Sequence, residues 1–193
     1  MRALKPTEET IVDTPPATDA AASSSPRLNV LKTYKLYIGG KFPRTESGRY
    51  YKLENNGETL ANLCLSSRKD FRNAVVAARS AQSGWAKSTA FHKSQILYRI
   101  AEMLEGRASQ FATELVQMGA DPDAARAEVT ASIDLLVHYA GWADKYSQVF
   151  SSVNPVASSH FNFSIPGPTG VVGVIAPEDS GLRGLVGSIA PAI

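Results

Sequence analysis

The sequence predicts an α/β fold in which a layer of long helices precedes the first strand of an incomplete parallel sheet. Three observations carry this expectation. The run Val171-Val172-Gly173-Val174-Ile175-Ala176-Pro177 is continuous, apolar and β-branched, the pattern of a strand buried on both faces of a parallel sheet. Ahead of it, three segments between Ser67 and Phe150 repeat apolar residues at helical spacing. No later strand follows to pair with the apolar run, so its partners are expected from the rest of a larger fold or from another chain.

In chain order, residues 1–33 are expected to form a disordered tail. Thr14-Pro15-Pro16-Ala17-Thr18 and Ala20-Ala21-Ala22-Ser23-Ser24-Ser25-Pro26 offer neither aromatic residues nor an apolar period with which to offset the entropy of ordering. Order is expected over residues 34–193. Tyr34, Leu36 and Ile38 alternate with Lys35 and Tyr37, Gly39-Gly40 turns the chain, and Tyr50 to Leu53 is expected to return beside them as a hairpin-like edge element.

Ser67 and Asp70 are spaced for reciprocal capping of a helix over Ser67 to Ser83, with Phe71, Val75, Ala78 and Ala81 as its stripe and Trp85 at its end. A second helix is expected from Phe91 to Met118, with Ile96, Ile100, Leu104, Phe111, Leu115 and Met118 on one face and Gly119 as its stop. Asp121 as N-cap and Pro122 in the first turn start a third, which carries Val129, Ile133, Leu136, Ala140 and Ala143 inward and runs to about Phe150. Phe161 to Ile165 alternates like a half-buried strand, and Pro166-Gly167-Pro168-Thr169-Gly170 turns into the apolar run.

Composition excludes several classes. With 44% apolar and 20% charged residues the chain belongs with soluble globular proteins, and no apolar run approaches the roughly 20 residues of a membrane span. The acids Glu8, Glu9, Asp13 and Asp19 and the lack of an apolar core argue against a secretory or transit peptide in the first thirty residues. A net charge of +2, with basic residues interleaved among acids, gives no reason to expect nucleic acid. The single cysteine, Cys64, rules out an internal disulfide and fits a reducing, cytoplasmic setting.

Candidate chemistry is sparse. Gly167, Gly170 and Gly173, then Gly181, Gly184 and Gly187, are spaced G-x-x-G-x-x-G, which matches neither the dinucleotide nor the P-loop pattern; close backbone packing is the expectation for both sets. Cys64, between Leu63 and Leu65, reads as a structural thiol in a short strand or loop. His92, His138 and His160 share no ligand spacing with one another or with Cys64, so no metal site is expected; His138 should be partly buried beside the third helix's core stripe. Glu178 and Asp179 stand at the C-terminal end of the apolar run. There they either face the ligand crevice of an open sheet or cap the helix that follows.

Several motifs resemble the aldehyde dehydrogenase family in register. Phe71-Arg72-Asn73-Ala74-Val75-Val76-Ala77-Ala78-Arg79 with Trp85, Ile96 to Glu105, Ala125-Arg126-Ala127-Glu128-Val129, Tyr139-Ala140-Gly141-Trp142-Ala143-Asp144-Lys145, Pro168 to Pro177 and Ala190-Pro191-Ala192 carry the likeness. The resemblance implies an N-terminal helical layer plus the first strand of an incomplete Rossmann-type sheet, so that residues 34–193 would be a partial cofactor-binding domain with hairpin and oligomerisation strand elements. It also implies NAD- or NADP-dependent oxidation of a small aldehyde to an acid through a cysteine thiohemiacetal. Cofactor contacts here would be backbone at Ile175, Ala176 and Pro177.

One departure matters. Where the family has Pro-Trp-Asn, whose asparagine donates a hydrogen bond to the oxyanion, this chain has Pro177, Glu178 and Asp179. An aspartate of ordinary pKa, about 4, is ionised at neutral pH and cannot donate. The family's nucleophilic cysteine and base glutamate have no counterpart in these residues, and Cys64 lies in the wrong region. The resemblance therefore implies a catalytically incompetent chain, similar to the degenerate modules of tandem or paired family members, in homo- or hetero-oligomers with aldehyde dehydrogenase-like chains. A fragment of a working enzyme with an unusual oxyanion site, and a free-standing helical interaction protein, are the rival expectations.

Overall fold

The computed structural model describes residues 30–176, Asp179 and 181–193. The expected tail therefore lies outside the described residues up to position 29, as do Pro177, Glu178 and Ser180.

Strands β1 (Thr33–Tyr34), β2 (Tyr50–Asn55) and β3 (Glu58–Cys64) form a sheet in the order β1-β3-β2. The first strand thus starts one residue before Tyr34. β1 runs parallel to β3, with Tyr34 beside Leu63, and β2 runs antiparallel to it, with Tyr50 beside Cys64. The expected hairpin of Tyr34–Ile38 with Tyr50–Leu53 is thereby corrected: the true hairpin is β2–β3. Its two-residue turn is Asn56 (φ 49°) and Gly57 (φ 82°), the left-handed pair that matches the right-handed twist of flanking strands. Gly39 and Gly40 do turn the chain, but they close only a local bridge between Ile38 and Lys41.

Helix α1 (Arg68–Ala86) opens on the expected capping box, in which Asp70 N–H donates to Ser67 Oγ and Asp70 Oδ2 accepts from Ser67 N–H at 2.9 Å. Its apolar stripe does not reach a core. Phe71 is 71% exposed, and Ala78 and Ala81 are exposed too. The stripe would need a further layer, and the later helices pack on one another instead.

The expected second helix is two helices, α2 (Ala90–Glu105) and α3 (Ala108–Gln117), separated at Gly106-Arg107. Glycine is about 1 kcal/mol less favourable than alanine inside a helix. Beyond the break, α3 packs Phe111 against the core. Thr89 caps α2, accepting from His92 N–H at 3.2 Å. The buried face of α2 is Leu97, Ala101 and Leu104, so Ile100, expected inward, stays 41% exposed.

Helix α4 (Pro122–Trp142) begins as expected, with the Asp121 carboxylate accepting from Asp123 and Ala124 N–H at 2.9 and 3.1 Å. It ends at Trp142, and the short α5 (Tyr146–Phe150) covers the remainder of the expected third helix. β4 (Ser152–Asn154) and β5 (Asn162–Ser164) pair antiparallel, with Val153 opposite Phe163. α6 (Gly181–Ile189) closes into a 3₁₀ turn at Ala190–Ala192.

The strand expected over Val171 to Pro177 is not formed over its described part, Val171 to Ala176. Val171–Ala176 lie in neither helix nor strand, because β-ladders exist only between neighbours and no described strand pairs with this segment. Ile175 is 98% exposed. The core sits elsewhere, between Leu97, Ala101 and Leu104 of α2, Leu136 and Ala140 of α4, and Ala190, with Phe111, Ile133, Tyr139, Leu182 and Val186 packed around it. Among the described residues, no helix is long and apolar enough to cross a membrane.

Polar contacts tie the sheet side to the helices. Asp70 is buried, with Thr45 Oγ–H donating to its Oδ2 at 2.6 Å and Glu46 N–H to its Oδ1 at 3.2 Å. These donors hold its pKa at about 2, below the ordinary 3.8, with the Thr45 hydroxyl the largest cause and Ser67 N–H the next. The sign follows from linkage: a lowered folded pKa stabilises the fold fully above the unfolded value, and that stabilisation is lost as pH falls through the folded one. Melting temperature followed by circular dichroism should therefore fall between pH about 4 and pH about 2 in the parent chain, and fall less steeply in Asp70→Asn.

Candidate functional site

The corner that the sequence singles out is the start of α6 where it meets α4. α6 is a weak helix by composition, with three glycines in nine residues. Two of them face α4. A Cβ on Gly187 would stand 3.4 Å from the Leu135 side chain, and one on Gly181 would run into the Glu128 carboxylate. Both glycines thus lie against side chains of α4, and of the two only Gly181 is approached more closely than in ordinary van der Waals contact. For Gly167, Gly170 and Gly173 the expectation of close backbone packing is corrected, since open space surrounds each.

Leu182 and Val186 pack on the α2–α4 core, which fixes α6 along its length. At its head, Glu128 Oε1 accepts from Arg183 N–H at 3.2 Å. Asp179 is exposed and lies two residues before Gly181. Of the expected cofactor contacts, Ile175 projects into solvent, Ala176 is half-buried, and Pro177 lies outside the described residues. Trp85, expected at the end of the first helix, donates from Nε1 to the Ile193 carbonyl at 2.9 Å, with the Lys93 ammonium 5.4 Å from its ring centre. The end of α1 is thereby joined to Ile193, just past the 3₁₀ turn that follows α6.

Other candidates stay apart from this corner in role. Cys64 is a free, half-buried thiol in β3. His138 is exposed rather than partly buried; it stacks edge-on to Tyr139 and against Trp142, so its contacts are rings at the surface. His160 shares a 3.0 Å hydrogen bond with Ser158 Oγ. Among the described residues, no three His, Cys, Asp or Glu side chains gather as a metal set.

Sequence reasoning missed two features. One is β4, whose pairing with β5 forms a groove of about 320 Å³ lined by Val153, Phe161, Phe163 and Ile165 with Ser151, Ser152 and Ser164. This lining carries no titratable group, so the groove suits apolar contact rather than acid–base chemistry. The other is the contact of Glu128 with the head of α6: the residue stands in the Ala125–Val129 motif, but nothing local in the sequence joins it to Arg183.

Residues 46–193 match the aldehyde dehydrogenase family. The chain belongs to the aldehyde dehydrogenase family. Retinal dehydrogenase 2 of Gallus gallus is 32% identical over 177 residues, an alignment that covers 88% of this chain and 34% of that protein. HpcC from Thermus thermophilus superposes with a TM-score of 0.79 at 26% identity, over 83% of this chain and 32% of its own. PnpE, solved in complex with nicotinamide adenine dinucleotide, shares the fold at a TM-score of 0.78 and 24% identity, over 82% of this chain and 33% of its own. The chain thus spans about a third of the length of these relatives.

PnpE and the betaine aldehyde dehydrogenase of Staphylococcus aureus are each solved in complex with the dinucleotide. The described residues of this family member do not by themselves fit one. Val171–Ala176 join no sheet, Ile175 stands in solvent, and open space surrounds Gly173. What the aldehyde dehydrogenase corner does possess is a firm seat for α6. Leu182→Ala should loosen that seat, but Leu182 is only partly buried, so its cost should fall below the roughly 2–5 kcal/mol of a fully buried leucine. Leu136→Ala, at 4% exposure, should cost the full amount; urea unfolding of the two variants measures the difference.

Proposed function

We propose that this chain is the N-terminal portion of an aldehyde dehydrogenase-like cofactor domain, spanning residues 34–193, that performs no catalysis itself. The chemistry of the whole fold is NAD- or NADP-dependent oxidation of a small aldehyde to an acid. The chain's own role is that of a structural or regulatory module beside active aldehyde dehydrogenase-like chains, in a cytoplasmic homo- or hetero-oligomer, without nucleic acid or membrane as partner.

A single observation carries this reading: Asp179, an exposed acid at the head of α6, stands where the family resemblance puts the oxyanion-donating asparagine. A carboxylate accepts hydrogen bonds and adds like charge to the oxyanion. Loss of one such donor alone costs about 100-fold to 1,000-fold in rate. Neither a nucleophile nor a base of the family pattern falls within these residues, and Cys64 is committed to β3. Cofactor contact would reduce to backbone at Ile175, Ala176 and Pro177. Pairing is supported by the apolar β4–β5 face, where Val153 and Phe161 are 69% and 73% exposed.

Three measurements test this. The full chain, mixed with NAD or NADP and a panel of short aliphatic and aromatic aldehydes, should form no NAD(P)H above the rate without protein; measurable turnover would overturn the incompetence. The asparagine of an active relative at the position matching Asp179, changed to aspartate, should lower kcat by about 100-fold to 1,000-fold or more. In light scattering, this chain and an active aldehyde dehydrogenase should form a mixed species, and separate elution at every ratio would end the pairing role.

A further inference from the structure

The carboxylate of Glu128 reaches from α4 to the head of α6, and nothing in the family chemistry assigns it a task. The first turn of any helix presents N–H groups without intrahelical acceptors. Here one of them, Arg183 N–H, donates to Glu128 Oε1 at 3.2 Å. The acceptor lies 55 residues away in the chain, on a different helix.

The surroundings are built for this contact. Glu128 is half-buried between Ala125 and Val129, which are 0% and 1% exposed, so its backbone is anchored in the deepest part of the core. Its own carbonyl accepts from the Ser132 hydroxyl at 2.7 Å, which holds that turn of α4. Opposite, Gly181 adopts φ +46°, and a Cβ there would collide with Oε1 of Glu128. Glycine is therefore favoured at position 181 by its left-handed backbone, and a Cβ there would displace the Glu128 carboxylate.

We propose that Glu128 is a tertiary N-cap of α6 and, through that cap, the positioning residue for Asp179. α6 has little propensity of its own, and its head is set by a charged acceptor delivered from the core helix. Asp179, two residues before Gly181, takes its place from this contact. A second consequence rests on the reading of Asp179 as the oxyanion position. A negative charge at the N-terminus compensates the positive end of the α6 dipole, which would otherwise favour an anion there.

Amide hydrogen exchange and ¹H–¹⁵N spectra of the full chain test the cap. In Glu128→Ala, exchange at Arg183 should accelerate on the order of tenfold while Val186, later in α6, changes less. The Asp179 amide resonance should move in the same variant. Glu128→Gln, which keeps an acceptor oxygen and folds with least disturbance, should restore most of the protection and return the Asp179 resonance. Gly181→Ala should also speed exchange at Arg183, and by a smaller factor when Glu128 is already alanine, because only backbone strain then remains. Unchanged exchange at Arg183 in Glu128→Ala, failure of glutamine to rescue, or independent effects of the two alanine changes would each overturn the cap. The Asp179 reading fails separately, if the aspartate placed in an active relative leaves its rate intact.

Discussion

The rest of the structure depends on the inner stripe of α4. Ala125, Val129, Ser132, Leu136 and Ala140 are all buried, spaced three and four residues apart, and three of the five are no larger than serine. Small residues let neighbouring helices approach closely, and the stripe receives α2 through Leu97, Ala101 and Leu104 and α6 through Leu182 and Val186. The one polar member, Ser132, satisfies its hydroxyl on the Glu128 carbonyl, so the stripe buries no unpaired group. Gly187 of α6 lies against Leu135 of α4, where a Cβ would make ordinary van der Waals contact at 3.4 Å.

Elements beyond the reach of this stripe are held by polar links. Tyr34 donates to Glu114, and the Asn55 side chain donates to the Gln117 carbonyl beside Gly119, so the sheet is tied to the end of α3. Asp70 gathers the loop around Thr45 onto the head of α1. Links of this kind are directional and each is modest in net energy, whereas the α2–α4–α6 contacts gain from area removed from water. The helical core should accordingly open last, and the sheet side and α1 earlier.

Legibility of the fold follows how local each cause is. Ser67 with Asp70, and Asp121 with Pro122, announced α1 and α4 because a cap is written within four residues. Asn56-Gly57 is equally local and should have identified the β2–β3 hairpin, but Gly39-Gly40 lay nearer the first strand and drew the pairing away. The inward face of α2 was misplaced by one position, from Ile100 to Leu97 and Ala101, because a helix with apolar residues on adjacent positions leaves its neighbours to choose the face. The stripe of α1 and the run Val171–Ala176 were legible as patterns but not as contacts. Burial is a property of what lies alongside, and no local sequence states that. The candidate site divides the same way: Asp179 was visible in a motif, while the contact of Glu128 with Arg183 required two distant helices to be brought together.

The head of α6 shows how stability and chemistry can draw on one residue type in opposite ways. An acid at a helix N-terminus is favourable by about 0.3–1 kcal/mol at an exposed position, through the dipole and the free N–H groups. For a helix carrying glycines at positions 181, 184 and 187, such help matters more than for an alanine-rich one. Asp179 before the helix and Glu128 against its first turn both supply it. Oxyanion catalysis demands the reverse, a donor in that place and an uncompensated positive end. A sequence relieved of catalysis is free to move toward the first solution, and Asp179 in the place of a donor is what that drift would leave behind.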